Sequence, residues 1–522
     1  MVFSVLLAAY ALALLAFTIA TLHGSMQRRK PISSSAAAAA PSRPPPPGPA
    51  GHPLLGSLLY VIGPLRHNPH RSLVALAEAY GPIVYLRLGL TRAMAVISSA
   101  AIAHEALAKN DAALAARLVP DNVRALSYGA TSMVFLPSSD QLWRQLRVLI
   151  GAGFSSSHGL EAIRPVLDRR AQQLAEHVRA CSGSGAGTPV NIREAVNGTV
   201  LNVVSNVLFS EDVVDLRDDQ KQAQSFKSLV VPVLEEWSKP SVSDAFPFLA
   251  PLEHLLGSRR RISTHLAKLF RFFDEVIIEK RLASGKKHND ILDILLSKMA
   301  MSKLTRQQIT TFLTDMFIAA SDTSTVTVQW AMAELLHHPD KMAKVKAELA
   351  EQLGFKGFVT ESDLSKLPYL HAVVKETLRL HPAVPLIPRE VVADDGVFLG
   401  GFHVPKGTGI VVNLWAIGRD ENAWPRPQEF IPERFLAAGQ EVHSSMVKEA
   451  YRPFGAGRRV CPGMEYTARS VPLLLASILH RNEWRLPADG DGVGLEGMDL
   501  RDRYGTVLNP ATPLHAVLVS TV

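Results

Sequence analysis

A ten-residue stretch near the end of the chain, Phe454-Gly455-Ala456-Gly457-Arg458-Arg459-Val460-Cys461-Pro462-Gly463, constrains the fold more than any other feature. It holds one of only two cysteines in 522 residues, behind two glycines and two arginines. Gly455 and Gly457 let backbone lie close to a flat group and take up angles that other residues resist. Pro462 suits the first turn of a helix, which predicts Cys461 at a helix N-terminus. Exposed N–H groups at such an end, with Arg459 nearby, favour a thiolate. A thiolate so placed can ligate the iron of a flat macrocycle and push electron density onto oxygen bound opposite. The plain alternative is a buried structural cysteine beside a glycine-rich turn.

Coincidence is a poor rival. The stretch resembles the cytochrome P450 haem signature F-x-x-G-x-R-x-C-x-G at all five fixed places: Phe454, Gly457, Arg459, Cys461 and Gly463. With residue frequencies near about 5%, such a match arises by chance on the order of one time in ten thousand for a chain this long. The resemblance implies a mainly α fold with small β-sheets, a single-domain haem-thiolate fold, haem b as cofactor and Cys461 as axial ligand of the iron.

Other motifs follow in the family's order. Glu376 and Arg379 stand three apart in Glu-Thr-Leu-Arg, where an ordinary surface pair is the simplest reading. Pro432-Glu433-Arg434-Phe435 lies between them and Cys461, and the series resembles the family's K-helix pair, P-E-R-F segment and haem loop. That resemblance implies a buried charge network of Glu376, Arg379 and Arg434. Upstream, Ala319-Ala320-Ser321-Asp322-Thr323-Ser324 interrupts an apolar run with small and hydroxylated residues. Taken alone, its hydroxyls would bond back to carbonyls four residues earlier. It is similar to the family's distal A/G-G-x-D/E-T-T/S pattern, which implies proton delivery through Asp322 and Thr323. Ala320 departs from the pattern, standing where glycine is usual. Trp143-Arg144-Gln145-Leu146-Arg147 resembles the family's W-R-x-x-R. It implies that Trp143 and Arg147, joined by Arg459 and Arg389, reach the haem propionates, since a guanidinium fork pairs two carboxylate oxygens.

Composition sets the surroundings. Cys181 and Cys461 are the only cysteines, so no disulfide framework or paired-cysteine zinc site can be written, and a reducing compartment is expected. Residues 2–22 hold no charged side chain and are long enough to cross a bilayer, with Arg28, Arg29 and Lys30 following. The basic flank on that side predicts an anchor, not a cleaved signal peptide, with the body in the cytosol. The expected organisation is an anchor and basic flank over 1–30, a Ser/Ala- and Pro-rich linker over 31–53, and one catalytic body over 54–522. The net charge of +7 comes in short basic groups without aromatic interleaving, which excludes a nucleic-acid binder as the expected class. Apolar periodicity predicts helices over 309–338, 341–353 and 369–380, and β-branched runs predict strands over 83–86, 94–97 and 409–412.

The wording of the chain is most similar to plant microsomal members, family 76 in particular, through Ala331-Met332-Ala333-Glu334-Leu335-Leu336 and Trp415-Ala416-Ile417-Gly418-Arg419-Asp420. Members of that group often hydroxylate terpenoids. The implied reaction inserts one oxygen atom from O2 into a lipophilic small molecule at the endoplasmic reticulum membrane, among membrane lipid. Electrons would come from NADPH through NADPH-cytochrome P450 reductase, because no G-x-G-x-x-G fingerprint for a bound nicotinamide or flavin is present. A basic face near Arg144, Arg147 and Arg458 is the expected reductase dock. Residues 117–135, the helix before Asp322 and residues 384–387 would shape the substrate pocket. Two other readings stay open: a reductase-independent haem-thiolate isomerase or dehydratase, and a non-catalytic haem-binding membrane protein.

Overall fold

The computed structural model describes residues 44–52, 55–57, 60, 68–89, 92–182, 188–214, 221–239, 242–246, 250, 257–436, 449–487 and 498–519. The expected anchor at 2–22 and the linker up to residue 43 lie outside them. Among the described residues no helix is long and apolar enough to cross a membrane.

Helices make up most of the body. The longer ones are α1 (Pro69–Tyr80), α2 (Gln141–Phe154), α3 (Ser157–Ser182), α4 (Ile192–Phe209), α5 (Lys221–Ser238) and α6 (Ser258–Arg271). They continue with α7 (Ile291–Ala300), α8 (Arg306–His337), α9 (Pro339–Leu353), α10 (Pro368–Leu380) and α11 (Met464–Leu479). The three helices expected from periodicity are α8, α9 and α10, each shifted by only a few residues. Helices α4 and α8 are buried on most of their faces, which places both inside the core. Val200, Val204 and Leu208 of α4 and Phe312, Val326 and Trp330 of α8 are essentially inaccessible. The two pack on each other, so α8 runs through the centre of the molecule. Its start is fixed by a capping box in which Thr305 accepts from the Gln308 N–H and Gln308 reaches back.

Small sheets flank the helices. The strands are β1 (Ile83–Leu88), β2 (Arg92–Ile97), β3 (Pro189–Asn191), β4 (Leu386–Glu390), β5 (Val397–Leu399), β6 (Phe402–Val404), β7 (Gly409–Asn413), β8 (Glu483–Arg485), β9 (Asp502–Arg503), β10 (Asn509–Pro510) and β11 (His515–Val519). The largest sheet has the order β1-β2-β7-β4, with β2 and β7 parallel and the outer pairs antiparallel. Its register sets Arg389 opposite Ile410 and Pro388 opposite Val411. The polyproline segment is docked on this sheet: Pro47 accepts from the Tyr85 N–H at 2.7 Å, and a side chain at Gly48 would strike the Tyr85 carbonyl. The body is thus mainly helical with small sheets, as the sequence predicts.

Candidate active site

Cys461 lies in the loop before α11, and its N–H donates to the Phe454 carbonyl at 3.0 Å, closing the loop on itself. The helix begins later than Pro462 suggests. Gly463 is its N-cap and Met464 its first residue, so Cys461 precedes the helix instead of heading it. Burial pushes the Cys461 thiol up, while the Gly463 N–H and the charges of Arg147 and Arg117 pull it down. Arg459, expected from the sequence to favour the thiolate, has a different task. Its Nε donates to the Ala115 carbonyl at 2.6 Å, Nη1 to Met133 and Val134, and Nη2 to Leu136. Its guanidinium also lies 4.9 Å from the ring centroid of buried Trp143. Arg459 therefore ties the haem-signature loop to the backbone of residues 115–136.

Both motif glycines adopt left-handed backbone, with φ of 71° at Gly455 and 69° at Gly457. A Cβ at Gly457 would sit 2.3 Å from the Leu107 carbonyl, so the close approach there is to neighbouring backbone. At Gly455 a Cβ would meet Ile387 at 3.4 Å and Arg389 at 4.0 Å, which places this glycine beside the arginine on β4.

Three other arginines gather near the Cys461 loop. Arg117 and Arg147 both lie within electrostatic reach of Cys461, and both are pushed down by burial. Arg389 is only 2% exposed and is pushed down to about 9 by burial and by the charges of Arg117 and Arg459. Among the described residues its hydrogen bond runs from Nη1 to the carbonyl of the preceding Pro388, at 2.9 Å. Arg117 Nε is buried and has no hydrogen-bond partner among the described residues. Like charges crowd together in low dielectric only where an anion belongs among them. A thiol near guanidiniums that form no ion pair among the described residues, Arg117 feeling only the charge of Asp315 beside that of the thiol, fits an iron macrocycle bearing two carboxylates. Arg147 thus faces inward, whereas exposed Arg144 donates to the Ser139 carbonyl and Arg458 pairs with Asp111 at 3.0 Å. Asp111 is held below its usual range by that Arg458 bond.

On α8 the run of inaccessible side chains breaks at Ile318, Ala319, Ala320, Asp322 and Thr323, with Ala319 exposed in mid-helix. Thr323 Oγ1 donates to the Ala319 carbonyl at 2.8 Å, the back-bond expected of an isolated helical threonine. Asp322 accepts from Arg193 Nη2 at 2.9 Å, with the two side chains 20% and 23% exposed. Arg193 also donates to Asn509, so the ion pair joins α4, α8 and β10. One turn along, Asn197, which opens the glycosylation-type triplet Asn197-Gly198-Thr199, is half-buried against Thr325 within a helix.

The charge network is fully formed. Arg379 grips Glu376 with Nε at 2.7 Å and Nη2 at 2.8 Å, and Arg434 Nε reaches the same carboxylate at 3.1 Å. The Ile431 N–H adds a fourth bond at 2.7 Å, and Arg379 also donates to the carbonyls of Gly418, Pro427 and Glu429. All three side chains are at most 1% exposed. The cluster is a buried brace and not a surface pair.

Sequence reasoning missed Arg193 and Asp315, and saw Arg117 only as the edge of a substrate segment. Asp315 did carry a signal, as a lone acid in the apolar run from Ile309 to Ala320.

Comparison with known proteins agrees with this geometry. The family described as Cytochrome P450 matches residues 46–500. Oryzalexin E synthase of Oryza sativa subsp. japonica is 42% identical, over 91% of each chain. Cytochrome P450 76M5 of the same rice is 42% identical over 90% of this chain and 91% of its own. Geraniol 8-hydroxylase of Catharanthus roseus is 39% identical over 90% of this chain and 93% of its own. Such membership carries haem b as cofactor, NADPH serving through a redox-partner reductase, and a lipophilic substrate. The chain belongs to the cytochrome P450 family of monooxygenases, with family-76 members among its relatives.

Proposed function

We propose that the chain is a terpenoid hydroxylase of the endoplasmic reticulum membrane, anchored by residues 2–22, with one catalytic body from about residue 54. NADPH-cytochrome P450 reductase is the proposed electron donor, docking on the exposed side of α2 near Arg144 and Arg458. The substrate reading rests on relatives at about two-fifths identity that are named for terpenoid hydroxylation, and on a pocket segment of mostly apolar residues.

The observation that carries the reading is the thiol of Cys461 within electrostatic reach of Arg117 and Arg147, two arginines that form no ion pair among the described residues. Cys461 Sγ would hold the iron, with Phe454 and Gly455 shaping the loop beside it. Trp143, Arg147, Arg389 and Arg117 would hold the propionates, Arg459 adding at most one N–H beyond those it gives to carbonyls. Haem supplies, when bound, the dioxygen activation from which one oxygen atom enters the substrate. Asp322 would take protons from solvent on the Arg193 side and Thr323 would pass them into the site, its hydroxyl leaving the Ala319 carbonyl to do so. Glu376, Arg379 and Arg434 would keep the proximal side rigid.

The test is turnover in microsomes that carry the reductase, with geraniol and a cassadiene-type diterpene as probes. Hydroxylated product that needs both NADPH and O2 supports the reading. No product from either probe, together with NADPH-independent rearrangement of an added organic hydroperoxide, would replace it with the isomerase or dehydratase alternative.

A further inference from the structure

Asp315 is 1% exposed, lies in the first third of α8 and plays no part in the chemistry described above. Its carboxylate accepts from the Tyr128 hydroxyl, from Ser132 Oγ at 2.8 and 3.0 Å and from the Met133 N–H at 2.8 Å. All of these donors belong to one short stretch, the single helical turn Tyr128–Thr131 and the two residues after it. The same stretch is gripped from its other side by Arg459, which donates to the carbonyls of Met133, Val134 and Leu136. Met133 thus gives its N–H to the central helix and its carbonyl to the haem-signature loop.

The contacts on α8 fall at a four-residue spacing. Gln307 donates to the Leu126 carbonyl at 3.0 Å, Thr311 meets Thr131 at 3.0 Å, and Asp315 takes Tyr128, Ser132 and Met133. The next places on that stripe are Ala319 and Thr323, where the helix opens. From Asp315 to Thr323 is eight residues, about 12 Å of helix rise. Arg117, upstream of that stretch and two residues from the Ala115 carbonyl that Arg459 also holds, lies within electrostatic reach of both Asp315 and the Cys461 thiol. The segment also holds two non-glycine residues in left-handed backbone, Leu126 with φ 50° and Ser127 with φ 58°. Such backbone persists where its surroundings over-determine it.

We propose that Asp315 is a positioning residue that fixes the substrate-facing wall, residues 126–136, between α8 and the Cys461 loop, and so sets the size and orientation of what reaches Thr323. It touches no substrate itself. A carboxylate does this better than an amide because all four contacts are donors, and Asn would offer one oxygen and turn two N–H groups toward them. The inference rests on the haem-thiolate reading of the same site.

The experiment compares imidazole with clotrimazole, a small and a bulky azole that both bind haem iron and shift its Soret band. Wild type is set beside Asp315→Asn, Asp315→Ala and the Tyr128→Phe/Ser132→Ala double variant. The azole shift in wild type reports on the haem reading, and the ratio of the two affinities across the variants reports on the wall. With the wall released, the clotrimazole-to-imidazole ratio changes by about fivefold or more, the scale of one lost buried interaction. The regiochemistry of geraniol oxidation spreads in parallel. The double variant keeps the carboxylate and removes its hydroxyl donors, so it is the decisive case if neither Asp315 variant takes up haem. An unchanged affinity ratio and unchanged product pattern in haem-loaded variants would overturn the proposal.

Discussion

Arg193 on α4 holds the carboxylate of Asp322 on α8 at 2.9 Å, beside the open stretch of helix that carries Thr323. A partly exposed pair of this kind adds under about 1 kcal/mol to stability, so its geometry matters more than its energy. Arg193→Ala should leave the melting temperature nearly unchanged while coupling falls, because the carboxylate is no longer kept in one place. Asp322→Asn should slow turnover by about 10²-fold or more, the usual share of a positioned proton donor. Thr323→Ala should divert oxygen into peroxide. Peroxide and product measured per NADPH consumed check all three, and unaltered coupling in Thr323→Ala would remove that residue from the relay.

Glu376→Gln should be among the most damaging single changes in the chain. It leaves Arg379 and Arg434 buried with no anion between them, at a cost of about 3 to 5 kcal/mol. The expected outcome is little or no haem-loaded protein at equal expression, read from the Soret absorbance per unit of polypeptide. Recovery of normal haem content would show that the carbonyls of Gly418, Pro427 and Glu429 suffice to hold Arg379.

Arg389→Leu should separate haem retention from stability of the polypeptide. Arg389 is buried beside Arg117 and Arg459, whose charges already depress it, so its removal relieves like-charge repulsion. The haem-stripped variant should therefore be no less stable than wild type, whereas haem transfer to an acceptor protein should be faster. A marked loss of apoprotein stability would assign Arg389 a packing role instead.

Asp315 gives a pH signature of known sign. Burial raises its carboxyl to about 6, against about 3.9 in an unfolded chain. The folded state therefore binds the proton more tightly than the unfolded one. The penalty for ionising Asp315 is fully present above about pH 6 and is relieved as the pH falls toward about 4. Going from about pH 7.5 to about pH 5, wild type should gain about 1 kcal/mol of stability relative to Asp315→Asn. Denaturant titrations at both pH values measure this difference, and parallel behaviour of the two proteins would contradict it.

Much of this structure is written locally in the sequence. The helices α8, α9 and α10 and the strands β1, β2 and β7 follow apolar spacing, because each must turn a definite face to the core. The Cys461 loop and the Glu376 network are legible because their residues fall close together or in a fixed order. What escaped joins distant segments. Arg193 meets Asp322 across 129 positions, and Met133 meets Asp315 across 182, distances over which no periodicity speaks. Arg459 was seen, but its partners are the backbone carbonyls of Ala115, Met133, Val134 and Leu136, and a carbonyl carries no sequence signal. The start of α11 was misplaced for a smaller reason: Pro462 falls in a turn before the N-cap Gly463 and not in the first helical turn.

The most direct test of the whole account is the carbon monoxide difference spectrum of the reduced protein in microsomes, recorded beside Cys461→Ser. The account predicts the red-shifted Soret band of thiolate-ligated haem in wild type and its loss in the variant. Bound haem without that band in wild type, or a band that survives in Cys461→Ser, would contradict it.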